Sequence, residues 1–329
     1  MVWDIQSWYH NLPPHCKSER TADLPASALM PGGWRIDSHS VCRPPSISPL
    51  PRPYADTLTP PHAHTSIMPD LARDAASLGV PLTPEQLQRF RRYTARLLEA
   101  NQRMNLTALR DEASLTLRYH LDALALLPVI ARAAGLTPDA LREQAWRAAD
   151  VGSGGGAPAI PLAIAWPQLR YTLIESIAKK ARFLEAAARA LDLPLTTLHV
   201  RAEDAGRDPS HREAYDLVTA RAVAELPALV ELTLPLVQIG GLAVYPKGLQ
   251  AAEEAEAARF AMATLGGELA GVEEVSLPGE PQPRFVVTVR KVAPTPETYP
   301  RRPGVPTKRP LRRERPGRRS AETGDMAHG

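Results

Sequence analysis

The run Ala149-Asp150-Val151-Gly152-Ser153-Gly154-Gly155-Gly156-Ala157-Pro158 constrains the fold more than any other stretch of the chain. Trp146 to Val151 is a short apolar rise, four glycines in the next five positions rule out regular structure, and Ile160-Pro161-Leu162-Ala163-Ile164-Ala165 resumes as an apolar helix. The order is strand, glycine turn, helix. Glycine accepts positive φ and has no Cβ to keep a ligand off the backbone, and a helix start offers N–H groups that lack partners within the helix. A turn that binds nothing needs fewer glycines, because each one adds entropy lost on folding. The turn is therefore expected to cradle a cofactor.

Downstream, strands and helices alternate in the manner of a parallel sheet covered by helices. Arg170 to Ile174 reads as a strand, Ala178 to Leu191 as a helix, Thr196 to Val200 as a strand and Asp216 to Thr219 as another. A helix from Leu226 to Val237, a strand Leu242 to Tyr245 after Gly240-Gly241, and a helix from Ala251 to Leu265 follow. Glu268 to Leu277 and Arg284 to Arg290 close the domain as an antiparallel pair. In such a sheet the ligand lies across the carboxyl ends of the strands. Asp150 with the glycines, Glu175, Ala202-Glu203-Asp204 and Arg221 fall at four successive strand ends. Any one of them is ordinary in a loop; their recurrence points to one site.

Two cofactors fit the turn. Read as G-x-G-x-x-A, Gly152 to Ala157 matches the dinucleotide fingerprint, with Glu175 about 20 residues on where an acid holds a ribose. Read as D-x-G-x-G-x-G, the same residues are similar to the first motif of S-adenosylmethionine-dependent methyltransferases. That cofactor carries an amino acid and no pyrophosphate. Asp150 would repel a pyrophosphate and help to hold an ammonium, and the antiparallel finish is not expected of a nicotinamide domain.

The flanks differ from this core. Residues 1–67 carry the proline pairs Pro13-Pro14, Pro44-Pro45 and Pro60-Pro61 and show neither a 3.6- nor a 2-residue period, so disorder is expected. Met68 directly precedes the patterned chain, so residues 1–67 are also readable as translated from a misplaced start codon; a targeting or partner-binding arm anchored by Trp3, Trp8 and Trp34 is the functional alternative. Residues 68–145 read as a helical segment, opened by the capping box Thr83-Pro84-Glu85-Gln86. Leu87, Phe90, Thr94 and Leu97 mark its inner face, and Arg89, Arg91, Arg92 and Arg96 lie beside them as either a solvated or an RNA-facing surface. A second helix is expected from Asp111 to Leu127, ended by Pro128, and a third over Val129 to Ala134. Residues 146–293 form the sheet domain, and 294–329 a proline- and arginine-rich tail in which Arg301 to Arg319 carries nine basic residues against Glu314. Its prolines predict an extended course, disordered beyond Leu311. No apolar run approaches the roughly 18 residues of a membrane span, and both cysteines, Cys16 and Cys42, precede the patterned chain. No secretory signal, disulfide framework or cysteine metal site is expected.

The run Gly152 to Ala163 closely resembles the signature of the RsmG/GidB family, bacterial methyltransferases acting on N7 of a guanosine in 16S ribosomal RNA. Asn105-Leu106-Thr107, Ser176 to Leu184, Arg201-Ala202-Glu203, Thr219 to Ala224 and Tyr245-Pro246-Lys247-Gly248 extend the likeness over about residues 70–310. The resemblance implies a Rossmann-like class I methyltransferase fold: a mostly parallel seven-stranded sheet with an N-terminal helical extension. It implies S-adenosylmethionine as cofactor, contacted by Gly152, Ala157, Ala202, Glu203 and Arg221, with Asp150, Gly154 and Glu175 added from their strand-end positions. The implied partner is 16S rRNA or the small ribosomal subunit, met in the cytoplasm by a monomer that uses neither membrane nor metal. Ala157 stands where the family usually has Leu or Phe, and Ala159 where it usually has Gly. The family's Arg-His pair appears as Arg118-Tyr119-His120, the histidine moved by one residue and so swung by about 100° on a helix; His120 is assigned no catalytic role.

The residue set suits this chemistry. Methylation of a pyrimidine ring carbon usually needs a cysteine nucleophile, absent from the domain, and exocyclic amines are associated with an Asn/Asp-Pro-Pro-aromatic motif where this chain has Thr219-Ala220-Arg221-Ala222. Guanine N7 presents an in-plane lone pair, so no catalytic base is expected and alignment supplies most of the rate. A chain started at Met68 is expected to fold and to bind S-adenosylmethionine like the full length in calorimetry; loss of solubility or binding contradicts the reading of residues 1–67.

Overall fold

The computed structural model describes residues 69–313; the expectations for residues 1–67, for a start at Met68 and for the tail past Arg313 lie outside the described residues. Leu71–Ser77 (α1) is opened by the Asp70 carboxylate, which accepts from the Ala72 and Arg73 amides. Pro84–Met104 (α2) begins with the expected reciprocal cap, Gln86 N–H donating to Thr83 Oγ1 and Thr83 N–H to Gln86 Oε1. Phe90, Tyr93, Thr94 and Leu97 are buried while Arg91, Arg92 and Arg96 are exposed, as three- and four-residue spacing dictates. Asn105 ends α2 in the left-handed region at φ 50°.

The second helix departs from expectation. Glu112–Leu115 (α3) passes into a π-helical turn, Thr116–Leu121, then Asp122–Leu124 (α4) and Leu126–Ala134 (α5). Pro128 sits in the first turn of α5, where a missing N–H has no helical partner to lose. It opens a helix instead of ending one. The wider π turn carries Tyr119, His120 and Leu121 all inward. Pro138–Arg142 (α6) then leads to the sheet.

The strands are Arg147–Val151 (β1), Arg170–Ile174 (β2), Leu195–Leu198 (β3), Tyr215–Ala220 (β4), Val237–Lys247 (β5), Gly267–Val275 (β6) and Arg284–Lys291 (β7). Their order is β3-β2-β1-β4-β5-β7-β6. β1 to β5 run parallel, and β7 lies antiparallel to both β5 and β6. This is the class I methyltransferase arrangement. A dinucleotide domain continues 3-2-1-4-5-6 in parallel, so the inserted β7 excludes the nicotinamide alternative at the level of topology. β5 is longer than expected, because Gly240 at φ 89° is absorbed where the β4 pairing shifts register.

Between the strands lie Ala159–Ala165 (α7), Ala178–Leu191 (α8), Ala202–Ala205 (α9), Leu226–Thr233 (α10) with a 3-10 turn Leu234–Leu236, and Ala251–Thr264 (α11). Alternating strand residues feed two cores. Ala148, Leu173, Leu217 and Leu242 pack with α2, α5, α7 and α8; Ala149, Ile174, Val218 and Ala243 pack with α10 and α11. Gln86 of α2 donates to Ile164 O at 2.9 Å, tying the helical extension to the end of α7.

After β7 the chain does not run free. Val305–Lys308 (α12) is helical with Pro306 in its first turn, a position that tolerates proline, so the expected extended course is broken there. Arg212 donates to the carbonyls of Tyr299 (2.8 Å) and Thr295 (2.7 Å). The fully buried Lys291 ammonium donates to Glu213 Oε1 at 2.9 Å, Leu234 O at 2.8 Å and Thr295 Oγ1 at 2.6 Å. Removing one member of a buried ion pair costs about 3–5 kcal/mol. Lys291→Met is expected at the low end, since Glu213 keeps 26% of its side-chain exposure; a denaturation midpoint unchanged from wild type contradicts the clamp.

Candidate active site

The glycine turn connects β1 to α7 and is held from three sides. Gly152, Gly154 and Gly156 all have positive φ, at 72°, 55° and 104°. A Cβ on Gly152 would lie 2.6 Å from Val223 Cγ2, and one on Gly156 2.5 Å from Ile160 Cδ1 and 2.8 Å from the Tyr93 hydroxyl. A side chain is excluded at both. Behind the turn, the Tyr93 hydroxyl donates to Gly155 O at 2.7 Å, and the Tyr119 hydroxyl stands 2.5 Å from where a Gly155 Cβ would be. Burial pushes the Tyr119 phenol up to about 12, so it stays neutral.

The turn's own amides are largely used up. Gly152 N–H and Ser153 N–H donate to Ile174 O, Gly156 N–H to Ser153 O, and Gly154 N–H to Glu175 Oε2 at 2.9 Å. The expectation of free N–H groups is corrected accordingly: what the glycines supply is shape. Glu175, 5% exposed, also accepts from Ile177 N–H through Oε1 at 2.8 Å. Each of its oxygens retains a lone pair, but its first task is to fasten the end of β2 to the turn.

Asp150 is 1% exposed and ends β1 beneath the turn. Its Oδ1 accepts from the Thr219 hydroxyl at 2.7 Å, and its Oδ2 is buried without a partner. Burial raises its carboxyl to about 7, against the hydrogen bond from Thr219 that lowers it. Arg221 follows β4. Its Nη2 donates to Arg118 O at 2.8 Å and lies 3.2 Å from Asp122 Oδ2, its guanidinium lies over the Tyr119 ring, and its Nη1 is buried with no partner. The turn thus has an unpaired buried acceptor and, past β4, an unpaired buried donor.

A cleft of about 200 Å³ opens across the ends of β1, β2 and β3, with Gly152, Ser176, Ala202, Glu203 and Val223 among its walls. Of the residues marked in the sequence, Gly152, Ala202 and Glu203 meet there. Asp150, Gly154 and Glu175 support it from the turn, Arg221 reaches the helical extension instead, and Ala157 packs on the α2 side core. Sequence reasoning missed Val223, held over Gly152 by a loop in which Ala222 takes φ 55°, a strained value for a residue with a Cβ. It also missed Gly304 and Thr307, which line the same cleft from the far end of the chain. Gly304 before Val305-Pro306 is a helix-start signal hidden among arginines.

His120 is 1% exposed among Phe90, Tyr93 and Tyr119, with Nε2 2.8 Å from Thr94 Oγ1. Burial pushes it down to about 3. It is a neutral core histidine. Among the described residues no group of three or more His, Cys, Asp or Glu could hold a metal ion, and no helix is long and apolar enough to cross a membrane.

The chain is similar to known proteins over this whole region. A family model described as "GidB: rRNA small subunit methyltransferase G" matches residues 86–282. A ribosomal RNA small subunit methyltransferase G of Roseiflexus castenholzii is 47% identical over 245 residues, 74% of this chain and 100% of the relative. One of Pelotomaculum thermopropionicum is 40% identical over 248 residues, 75% of this chain and 100% of the relative. A solved branched-chain polyamine synthase of Thermus thermophilus, at 15% identity, covers 53% of this chain and 57% of its own with a TM-score of 0.40; the fold assignment rests on the strand order and not on that likeness. With the matched region running from α2 through the glycine turn to the loop before β7, the chain belongs to the GidB family, rRNA small subunit methyltransferase G.

Proposed function

We propose that this protein transfers one methyl group from S-adenosylmethionine to N7 of a single guanosine in 16S rRNA. The observation that carries the reading is the cleft at the ends of β1 to β3, walled by Gly152, Ala202 and Glu203, in a chain of this family. The residues fit the cofactor: the unpaired Asp150 Oδ2 and Arg221 Nη1 are an acceptor and a donor of the kind an amino-acid head group requires, and Gly152 lets Val223 close over the turn where a Cβ would displace it. Glu175 offers its remaining lone pairs to ribose hydroxyls. Gly154 sets the turn through Glu175, and Ala157 lies on the flank of the turn. The cofactor supplies a methyl group made electrophilic by a sulfonium.

The protein's own contribution is position. N7 attacks with a lone pair already in the ring plane, and no proton has to leave, so no side chain acts as base. The buried neutral His120 agrees with that. Holding the two reactants in line is worth several kcal/mol without acid–base help. The exposed arginines Arg91, Arg92 and Arg96 of α2 offer charge for RNA phosphates. A monomer working in the cytoplasm on the small ribosomal subunit, without a metal, completes the reading. A ribosome-assembly factor without catalysis has no specific observation in its favour.

Two outcomes are expected. A neutral Asp150 cannot pair with an ammonium, so affinity for S-adenosylmethionine should fall as pH drops through about 7, by roughly tenfold per unit once the carboxyl is protonated. Because the carboxyl lies at about 7 in the fold against 3.8 for a free aspartate, the ligand-free fold loses stability as pH rises from about 4 to about 7. Asp150→Asn should flatten both profiles, and a wild-type affinity constant from pH 5.5 to 7.5 contradicts the role. N7 methylation places a positive charge on the imidazole ring and makes the strand cleavable by reduction and aniline. RNA from a strain lacking the gene should lose one such cleavage in 16S rRNA and regain it on complementation; persistence of the cleavage overturns the function.

A further inference from the structure

The segment after β7 returns to the cofactor cleft from the opposite end of the chain. Arg301 is its anchor. Its backbone N–H donates to Glu231 Oε1 at 2.8 Å, Nε to Oε1 at 2.9 Å, and Nη2 to Oε2 at 2.6 Å and to Arg309 O at 2.7 Å. Glu231 is the one charged residue of α10 and is 0% exposed. A buried ion pair gains little over an apolar pair of the same volume, but a two-toothed guanidinium–carboxylate contact fixes direction and register.

The register matters three residues on. Gly304, at φ 80°, turns its N–H toward the cleft and donates to Glu203 Oε1 at 2.7 Å. Glu203 is 5% exposed, and Gly304 and Thr307 form part of the wall that faces Gly152 and Val223. Without the segment, one side of the cleft would be open and the Glu203 carboxylate would lose this donor. Accepting from an amide leaves Glu203 free lone pairs while restricting its rotamers.

We infer that Arg301 is a positioning residue of the cofactor site: clamped on Glu231, it sets the strap of residues 294–313 so that Gly304 orients Glu203 and Thr307 closes the cleft. This rests on the reading of the cleft as the S-adenosylmethionine site. The strap is thereby part of the binding machinery and not a tail.

The test is calorimetric titration of the full chain with S-adenosylmethionine, with thermal melting run in parallel. Arg301→Ala should weaken binding about tenfold or more, the scale of one charge-assisted hydrogen bond. In a Glu203→Ala background, which removes the acceptor of the Gly304 N–H, the same change should add nothing further, because residues acting through one contact are not additive; a general loss of packing would persist in that background. Thr307→Trp, on the exposed inner edge of the strap, should weaken binding with the melting temperature unchanged, and it carries the test if Arg301→Ala fails to fold. Wild-type affinity in either variant, or full additivity of Arg301→Ala with Glu203→Ala, overturns the inference. A wild-type chain that binds no S-adenosylmethionine overturns the reading of the cleft instead.

Discussion

The carboxylate of Glu175 holds the site together. It accepts from Gly154 N–H on one side and Ile177 N–H on the other, so one side chain joins the glycine turn after β1 to the loop that begins α8. Hydrogen bonds to a charged acceptor are worth about 1.5–3 kcal/mol each, enough to decide between an ordered and a frayed turn. The three positive-φ glycines depend on this fastening, because the freedom that lets them adopt the turn is freedom that must be lost. With the turn set, Gly152 faces Val223 and the cleft has a floor.

The helical extension works on the other surface of the same turn. Tyr93 and Tyr119 reach it from α2 and from the π-helical turn, and their hydroxyls occupy the space behind Gly155 and Gly156. The helices before β1 are thus more than an appendage: Tyr93 and Tyr119 set the back wall against which the glycine turn is formed. The buried clusters agree, since α2 and α5 share one core with α7 and α8. Arg221 links these parts, stacking on Tyr119 and pairing with Asp122 after leaving β4.

Much of this was legible in the sequence, and the limits have physical causes. The glycine turn, the alternation of strands and helices, and the antiparallel finish are local patterns and are found in that order, although the helix from Leu226 ends at Thr233 and Val237 already belongs to β5. Asp150 and Glu175 are legible as strand-end acids, but the bond from Gly154 N–H to Glu175 is not, because it depends on how β1 and β2 are registered, Val151 opposite Ile174. Thr116–Leu121 carries the same signals as an α-helix, and only packing of Tyr119 and His120 against α2 selects the wider turn. Pro128 and Pro306 carry the local signal of helix breakers, yet each stands in a first turn, where proline is tolerated. Gly304 and Thr307 lie about 100 residues from Glu203, a separation that no local pattern spans.

The central claim is that the cleft presents a methyl group to a guanine nitrogen that needs no base. Purified protein, S-adenosylmethionine labelled in the methyl group, and small-subunit RNA from cells lacking the gene test it directly when the RNA is digested and its nucleosides separated. The account predicts that all transferred label elutes as 7-methylguanosine and reaches one methyl per RNA. Label in a pyrimidine or on an exocyclic amine, or no transfer by a protein that binds the cofactor, contradicts it.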